Sequence, residues 1–259
     1  YADDDGIEIL EVTHKYGFND TFSEEQMAVA SDLPQVVTEE ELQGRRDLRE
    51  EIIFTIDSET TKDIDDAISI KRTSRNTYIL GVHIADVSHY VKEDSILDKE
   101  AYNRGTSVYL ADSVIPMLPR PLSNGICSLN PDVDRLAMTC EMEINQAGEV
   151  IHYDIFPSVI HSCYKMTYNN INKMIDGDQD VIDEFKDIHQ NVVLMHELQT
   201  ILSDVREKMG SINFETIEPK FIFNRSGKIT DMIVKERGLG KKMIEEFMLV
   251  ANQVVATHV

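Results

Sequence analysis

Residues 51–72 read "EIIFTIDSETTKDIDDAISIKR". The runs "EIIFTID" and "AISIKR" are rich in β-branched and aromatic residues and predict two strands. Between them, residues 57–67 hold four aspartates and a glutamate: Asp57, Glu59, Asp63, Asp65 and Asp66. Aspartate favours neither helix interiors nor strands, and clustered carboxylates repel one another, so the segment reads as a loop with a positive charge expected among its side chains. Hard divalent cations take oxygen ligands, and Mg2+ uses a few carboxylates together with water and substrate phosphates. A phosphoryl-transfer site and a solvated acidic loop are both compatible with the residues alone. The spacing does not suit an EF-hand, which needs Gly at the sixth loop position and Glu at the twelfth. A phosphatase of the haloacid-dehalogenase type also places an aspartate after an apolar strand, as "FTIDSETT" does, but leaves Asp63, Asp65 and Asp66 unexplained.

Outward from this loop the strand pattern continues in "TYILGVHIADV" and "RLAMTCEMEI". "NQAGEV" before "VIHYDIF" and "NRSGKI" before "ITDMIV" predict hairpin turns, hence antiparallel pairing. Residues 102–136 carry Pro116, Pro119, Pro121, Gly125 and Pro131 and predict a long ordered loop. From Gln179 to Met209, apolar residues recur every three or four positions, predicting one long amphipathic helix. "MIEEFMLVANQVVATHV" repeats the signal at 243–259. A helical wheel places Glu245 at the edge of its apolar face and Glu246 nearly opposite the centre of that face. Residues 1–50 are acidic, with helix-compatible pieces at Ser23–Ala30 and Thr38–Leu42. The fold class expected is α+β: a largely antiparallel sheet with long amphipathic helices on one side.

The 259 residues carry 25 basic and 47 acidic side chains, a formal charge of −22, so a generic polyanion-binding surface is not expected and any nucleic-acid contact has to be local. The 42% apolar content can fill a core. Cys127, Cys140 and Cys163 lack the CxxC spacing of zinc or redox sites and read as reduced thiols of a cytoplasmic protein. No membrane span or signal peptide is expected. A first residue of Tyr1 rather than Met suggests a piece of a longer chain.

Five blocks, "TIDSETTKDIDDAI", "LGVHIADVSHYV", "YNRGTSVYLADSVIPMLPRPLSNGICSLNPDVDRLAM", "YKMTYNNIN" and "KKMIEEFMLVANQ", together resemble the catalytic (RNB) domain of the ribonuclease II and ribonuclease R family, in family order. The lead-in "HKYGFNDTFSEE" and the segment "GSINFE" are more like the ribonuclease R branch. The resemblance implies that residues 45–259 are the N-terminal part of the catalytic domain, C-terminally incomplete, and that residues 1–44 connect it to an upstream cold-shock-type domain. It implies a 3′→5′ exoribonuclease that degrades single-stranded RNA from its 3′ end, processively and with Mg2+, to nucleoside 5′-monophosphates. Carried over residue by residue, the metal ligands are Asp57, Asp63, Asp65 and Asp66, with Asp65 the critical catalytic carboxylate. In such two-metal hydrolysis one ion generates hydroxide and the other stabilises the leaving 3′ oxygen.

The resemblance also makes Tyr109 the aromatic that stacks on the 3′-terminal base, and Tyr168 and Glu245 the residues that grip the terminal ribose and read its 2′-hydroxyl. His83 and Asp86 read as scaffold, because two-metal hydrolysis needs no side-chain base. Arg104, Arg120 and Arg135 flank the proline-rich loop and are candidate phosphate contacts. The chain departs from the family at "REKMGSINFE", where Met209 stands at a usually basic place. The family's later arginine, its cold-shock domains and its S1 domain do not occur in these 259 residues, so the isolated chain is expected to be inactive. A non-catalytic, RNB-like RNA-binding protein and a metal-dependent phosphatase are the alternative functions.

Overall fold

The structure, a computed structural model, describes residues 13–110, 113–211, 219–224, 229–234 and 238–259. The chain divides into two compact units, residues 35–86, 126–213 and 237–259 forming the larger and 1–34, 87–125 and 214–236 the smaller.

The larger unit holds the carboxylate segment. Its strands are β1 (Arg46–Asp47), β2 (Ile53–Asp57), β3 (Asp66–Arg72), β4 (Tyr78–Ala85), β5 (Asp134–Ile144) and β6 (Val150–Thr167). They are followed by helices α1 (Tyr168–Ile175), α2 (Gln179–Glu184), α3 (Lys186–Lys208) and α4 (Leu239–His258). The sheet order is β1-β6-β2-β3-β4-β5, and β5 also pairs with β6, so the ladders close into a ring of five strands. The eighteen-residue β6 makes the closure. Its first part runs antiparallel to β5, from Ile144↔Val150 to Asp134↔His161. Its last part runs parallel to β2, from Ile53↔Ser162 to Asp57↔Thr167. The expected hairpin at "NQAGEV" is present: Gly148 takes φ 79°, and its N–H donates to the Asn145 carbonyl at 3.0 Å.

Alternate residues along each strand face opposite sides. Phe54, Ile56, Ile68, Ile70, Leu80, Val82, Cys140, Met142 and Met166 join one buried core with the helices. Ile188, Val192, Met195, Leu198 and Leu202 from α3, and Met243, Phe247, Val250 and Val254 from α4, complete it. Each fully buried aliphatic or aromatic side chain here contributes roughly 1.5–3 kcal/mol of transfer free energy. On the other face of β3, β4, β5 and β6 runs a polar line. Ser69 Oγ lies 3.0 Å from His83 Nε2, His83 Nδ1 lies 2.9 Å from Thr139 Oγ1, and Thr139 Oγ1 lies 2.7 Å from Ser158 Oγ.

Two expectations about local structure are corrected. The apolar period from Gln179 to Met209 is interrupted at Phe185, whose φ −113°, ψ 35° is not helical, giving α2 and α3 in place of one helix. The Asp178 side chain caps α2, whereas α3 starts without a side-chain cap. Thr38–Leu42 forms turns rather than a helix.

In the smaller unit a helix at Glu24–Asp32 starts with a capping box between Ser23 and Gln26. A second helix, Ile96–Arg104, is capped by Ser95 and stops at Gly105, φ 72°. Val108–Tyr109 pairs with Val114–Ile115, and a separate ladder joins Pro219–Phe223 to Ile229–Val234. The turn predicted at "NRSGKI" lies mostly outside the described residues. No helix among the described residues is long and apolar enough to cross a membrane.

Candidate functional site

The carboxylates gather where two strands end. Asp57 closes β2 and Asp66 opens β3. In the parallel ladder, Asp57 stands opposite Thr167, and Lys165 opposite Thr55. Phe54, Ile56 and Met166 face the helical core, so Thr55, Asp57, Lys165 and Thr167 share the opposite face. Thr167 then caps α1, its Oγ1 accepting the Asn170 N–H at 3.1 Å, which makes Tyr168 the first residue of the helix. Strand pairing and cap together bring Tyr168 to Asp57. Helix α4 presses on α1 from behind: a Cβ at Gly240 would lie 3.2 Å from the Tyr168 carbonyl, and Gly240 N–H donates to Asn172 Oδ1 at 2.8 Å.

Burial is the main electrostatic influence at the cluster. It pushes the Asp57 carboxyl up to about 6; Lys165 opposes the rise, while Asp65 and Asp63 add to it. Asp66 is also raised to about 6, by burial first and then by the charges of Asp57 and Asp65. Asp65 is raised by burial and by Asp63. Burial, then Asp57 and Asp66, hold the Tyr168 phenol up to about 12, so it keeps its proton near neutrality. One Asp57 oxygen, Oδ2, is buried and has no hydrogen-bond partner. A buried orphan oxygen within a set of hard oxygen donors fits a divalent cation. As the side chains stand, no three His, Cys, Asp or Glu residues among the described residues converge to ligate one ion, as expected of like charges at close quarters.

The other sequence candidates divide. Tyr109 is 69% exposed and belongs to the smaller unit. Glu245 is partly buried on α4, where its charge raises the pKa of Arg206. Glu246, expected opposite the apolar face, is buried at 4% exposure. Arg206 of α3 holds it through Nε at 3.1 Å and Nη2 at 2.5 Å, so α4 packs a charged residue against its neighbour. His83 is fully buried between Ser69 and Thr139 and depressed by burial to about 3, while Asp86 pairs with Arg45 at 2.6 Å. Both are scaffold.

Arg104 is held by Glu100 and by the Asn19, Thr21 and Pro116 carbonyls, and Arg135 by the Ser128 and Asp134 carbonyls. Neither stands ready for phosphate. Arg120 is exposed. Sequence reasoning passed over Lys165, whose Nζ also donates to the Thr61 carbonyl of the carboxylate loop. Its only signal was a cation in a strand with no other lysine or arginine.

A family model described as the RNB domain matches residues 45–259. "Ribonuclease R 1" of Lactococcus lactis is 49% identical over 257 residues, which are 99% of this chain and 32% of that protein. "Ribonuclease R" of Thermotoga maritima is 47% identical over 259 residues, 98% of this chain and 36% of that protein. The solved structure of Mycoplasma genitalium RNase R in complex with ribose methylated single-stranded RNA superposes with a TM-score of 0.88 at 30% identity, covering 98% of this chain and 39% of that one. The chain thus spans about a third of the length of these curated relatives.

Proposed function

The chain belongs to the RNB domain family, and from that premise we propose that it supplies the carboxylate centre of a 3′→5′ exoribonuclease acting on the 3′ end of single-stranded RNA in the cytoplasm. In this reading residues 45–259 are the N-terminal part of the catalytic domain, and residues 1–44 lead in from a cold-shock-type domain. Asp57, Asp63, Asp65 and Asp66 hold Mg2+. Two bound ions would supply, between them, an activated water and a stabilised leaving oxygen, the two-metal chemistry that releases nucleoside 5′-monophosphates. The observation that carries the reading is the buried, partnerless Asp57 Oδ2 among carboxylates that raise one another's pKa.

The chain's own residues have separable tasks. Tyr168, protonated near neutrality, donates a hydrogen bond to the terminal nucleotide. Glu245 reads the 2′-hydroxyl of the terminal ribose, and Tyr109 stacks on the terminal base, a grip worth about 1–3 kcal/mol and indifferent to sequence. Lys165 offsets part of the Asp57 charge. His83 takes no proton in the reaction, since its ring is buried and both nitrogens are engaged. Successive cleavages without release make the degradation processive.

The test is a time course of the full-length polypeptide on 3′-tailed single- and double-stranded RNA, with and without EDTA, resolving product length. Mononucleotides that accumulate only without EDTA are expected, and passage through duplex marks ribonuclease R-like behaviour. Asp65→Asn is expected to abolish turnover and spare RNA binding. Turnover of small phosphomonoesters in place of RNA, or RNA binding with no cation-dependent cleavage in the wild type, would sink the reading in favour of a phosphatase or a binding protein. The 259-residue chain alone is expected to be inactive.

A further inference from the structure

A buried hydroxyl helps tie down the loop that carries the carboxylates between its two strands. Ser128 is fully buried. Its Oγ donates to the Lys62 carbonyl at 2.8 Å and accepts the Ile64 N–H at 3.1 Å, so one oxygen holds the backbone on both sides of Asp63. The neighbouring Leu129 N–H donates to the Ile64 carbonyl at 2.9 Å, and the fully buried Ile64 side chain anchors the same point from within. Beyond it, the Asp65 carbonyl accepts the Ala85 N–H at 2.9 Å. A hydroxyl is suited to this place because it donates and accepts at once.

We propose that Ser128 is a positioning residue for the cation-dependent reaction: by bracketing Asp63 it fixes the backbone from which the Asp63 and Asp65 carboxylates are presented. This rests on the reading of the four aspartates as cation ligands. Ser128 touches neither cation nor RNA. It acts as the outer partners of metal ligands do, whose removal typically lowers metal affinity or activity 10–100-fold. A hydroxyl that served only the fold would instead alter melting temperature and leave cation affinity alone.

The experiment uses Mn2+ as the probe, its binding to the full-length polypeptide followed by electron paramagnetic resonance, with RNA turnover measured across Mn2+ concentration. Ser128→Ala is expected to weaken Mn2+ binding by roughly 10–100-fold, with turnover partly restored as Mn2+ is raised. Ser128→Cys, a weaker donor and acceptor, is expected to fall between, and decides by the same readout if the alanine variant does not fold. Thr139→Val removes a buried hydroxyl from the polar line on the sheet and serves as the stability control. It is expected to lower the melting temperature and keep wild-type Mn2+ affinity. Wild-type affinity in Ser128→Ala and Ser128→Cys, or an equal loss in Thr139→Val, overturns the inference and leaves the metal reading standing. A wild-type protein that binds no Mn2+ overturns both.

Discussion

Glu246 keeps a carboxylate in the interior because Arg206 meets it with more than one nitrogen. Arg206 is 29% exposed, so the pair is only half withdrawn from water. Removing the arginine strands a buried charge, and Arg206→Ala is expected to cost about 2–3 kcal/mol, below the range for a fully buried pair. A urea titration reads this directly. The aspartates carry the opposite kind of cost. Asp66 is raised to about 6 by burial and by neighbouring carboxylates. A raised carboxyl contributes stability that is complete below its unfolded value near 4 and is lost as pH rises through about 6. In EDTA, Asp66→Asn is therefore expected to be more stable than wild type by on the order of 1–2 kcal/mol at pH 7.5, and the advantage is expected to vanish near pH 4. Melting curves across pH check both ends. The aspartates themselves were legible because their spacing is local. The burial of Glu246 was not, because the partner that decides it lies on another helix, forty positions earlier, and a helical wheel sees one helix at a time.

Strands announce themselves here through β-branched runs, and β2 to β5 fall where those runs predict. The end of a helix is set by smaller things. Phe185 carries an apolar side chain that fits the period on either side of it, so a pattern of apolar spacing runs unbroken across a backbone that does not. Within the sheet, Gly81 of β4 stands opposite Ser69 of β3. A Cβ there would stand 2.4 Å from Ser69 Oγ and 2.9 Å from His83 Nε2. Gly81→Ala must push both side chains out of their hydrogen bond and is expected to cost about 1–3 kcal/mol, the usual range for overpacking. The double variant Gly81→Ala, Ser69→Ala is expected to recover part of that loss. Thermal unfolding of the two variants tests whether this contact is the cause.

Over the whole chain, the charge of −22 is compounded by how the cations are employed. Arg45, Arg46, Arg49, Lys71, Arg72, Arg75, Arg104 and Arg206 each meet a carboxylate of the same chain. Each of these eight would have to give up an internal partner to neutralise a phosphate. The isolated chain is expected to bind single-stranded RNA with a shallow salt dependence, a slope of log affinity on log salt no steeper than about −2, since each phosphate contact adds about −0.7. A steeper slope in fluorescence anisotropy would show a basic surface that these pairings do not reveal. The α+β class was legible from the alternation of strand runs and long apolar helical periods. The ring closure was not, because no local pattern tells a strand to leave one partner and run parallel to another. That closure has a consequence for how the molecule tolerates change. β6 is a single rod seated in two joints, against β5 along its first part and against β2 at its end. A residue inserted between the joints, with the first one held, shifts the second by one step and turns the alternating side chains over. Lys165 and Thr167 would exchange places with their core-facing neighbours, and Tyr168 would move out of step with Asp57. An insertion at the junction of His161 and Ser162 is thus expected to disturb the carboxylate cluster as strongly as a change to the aspartates themselves.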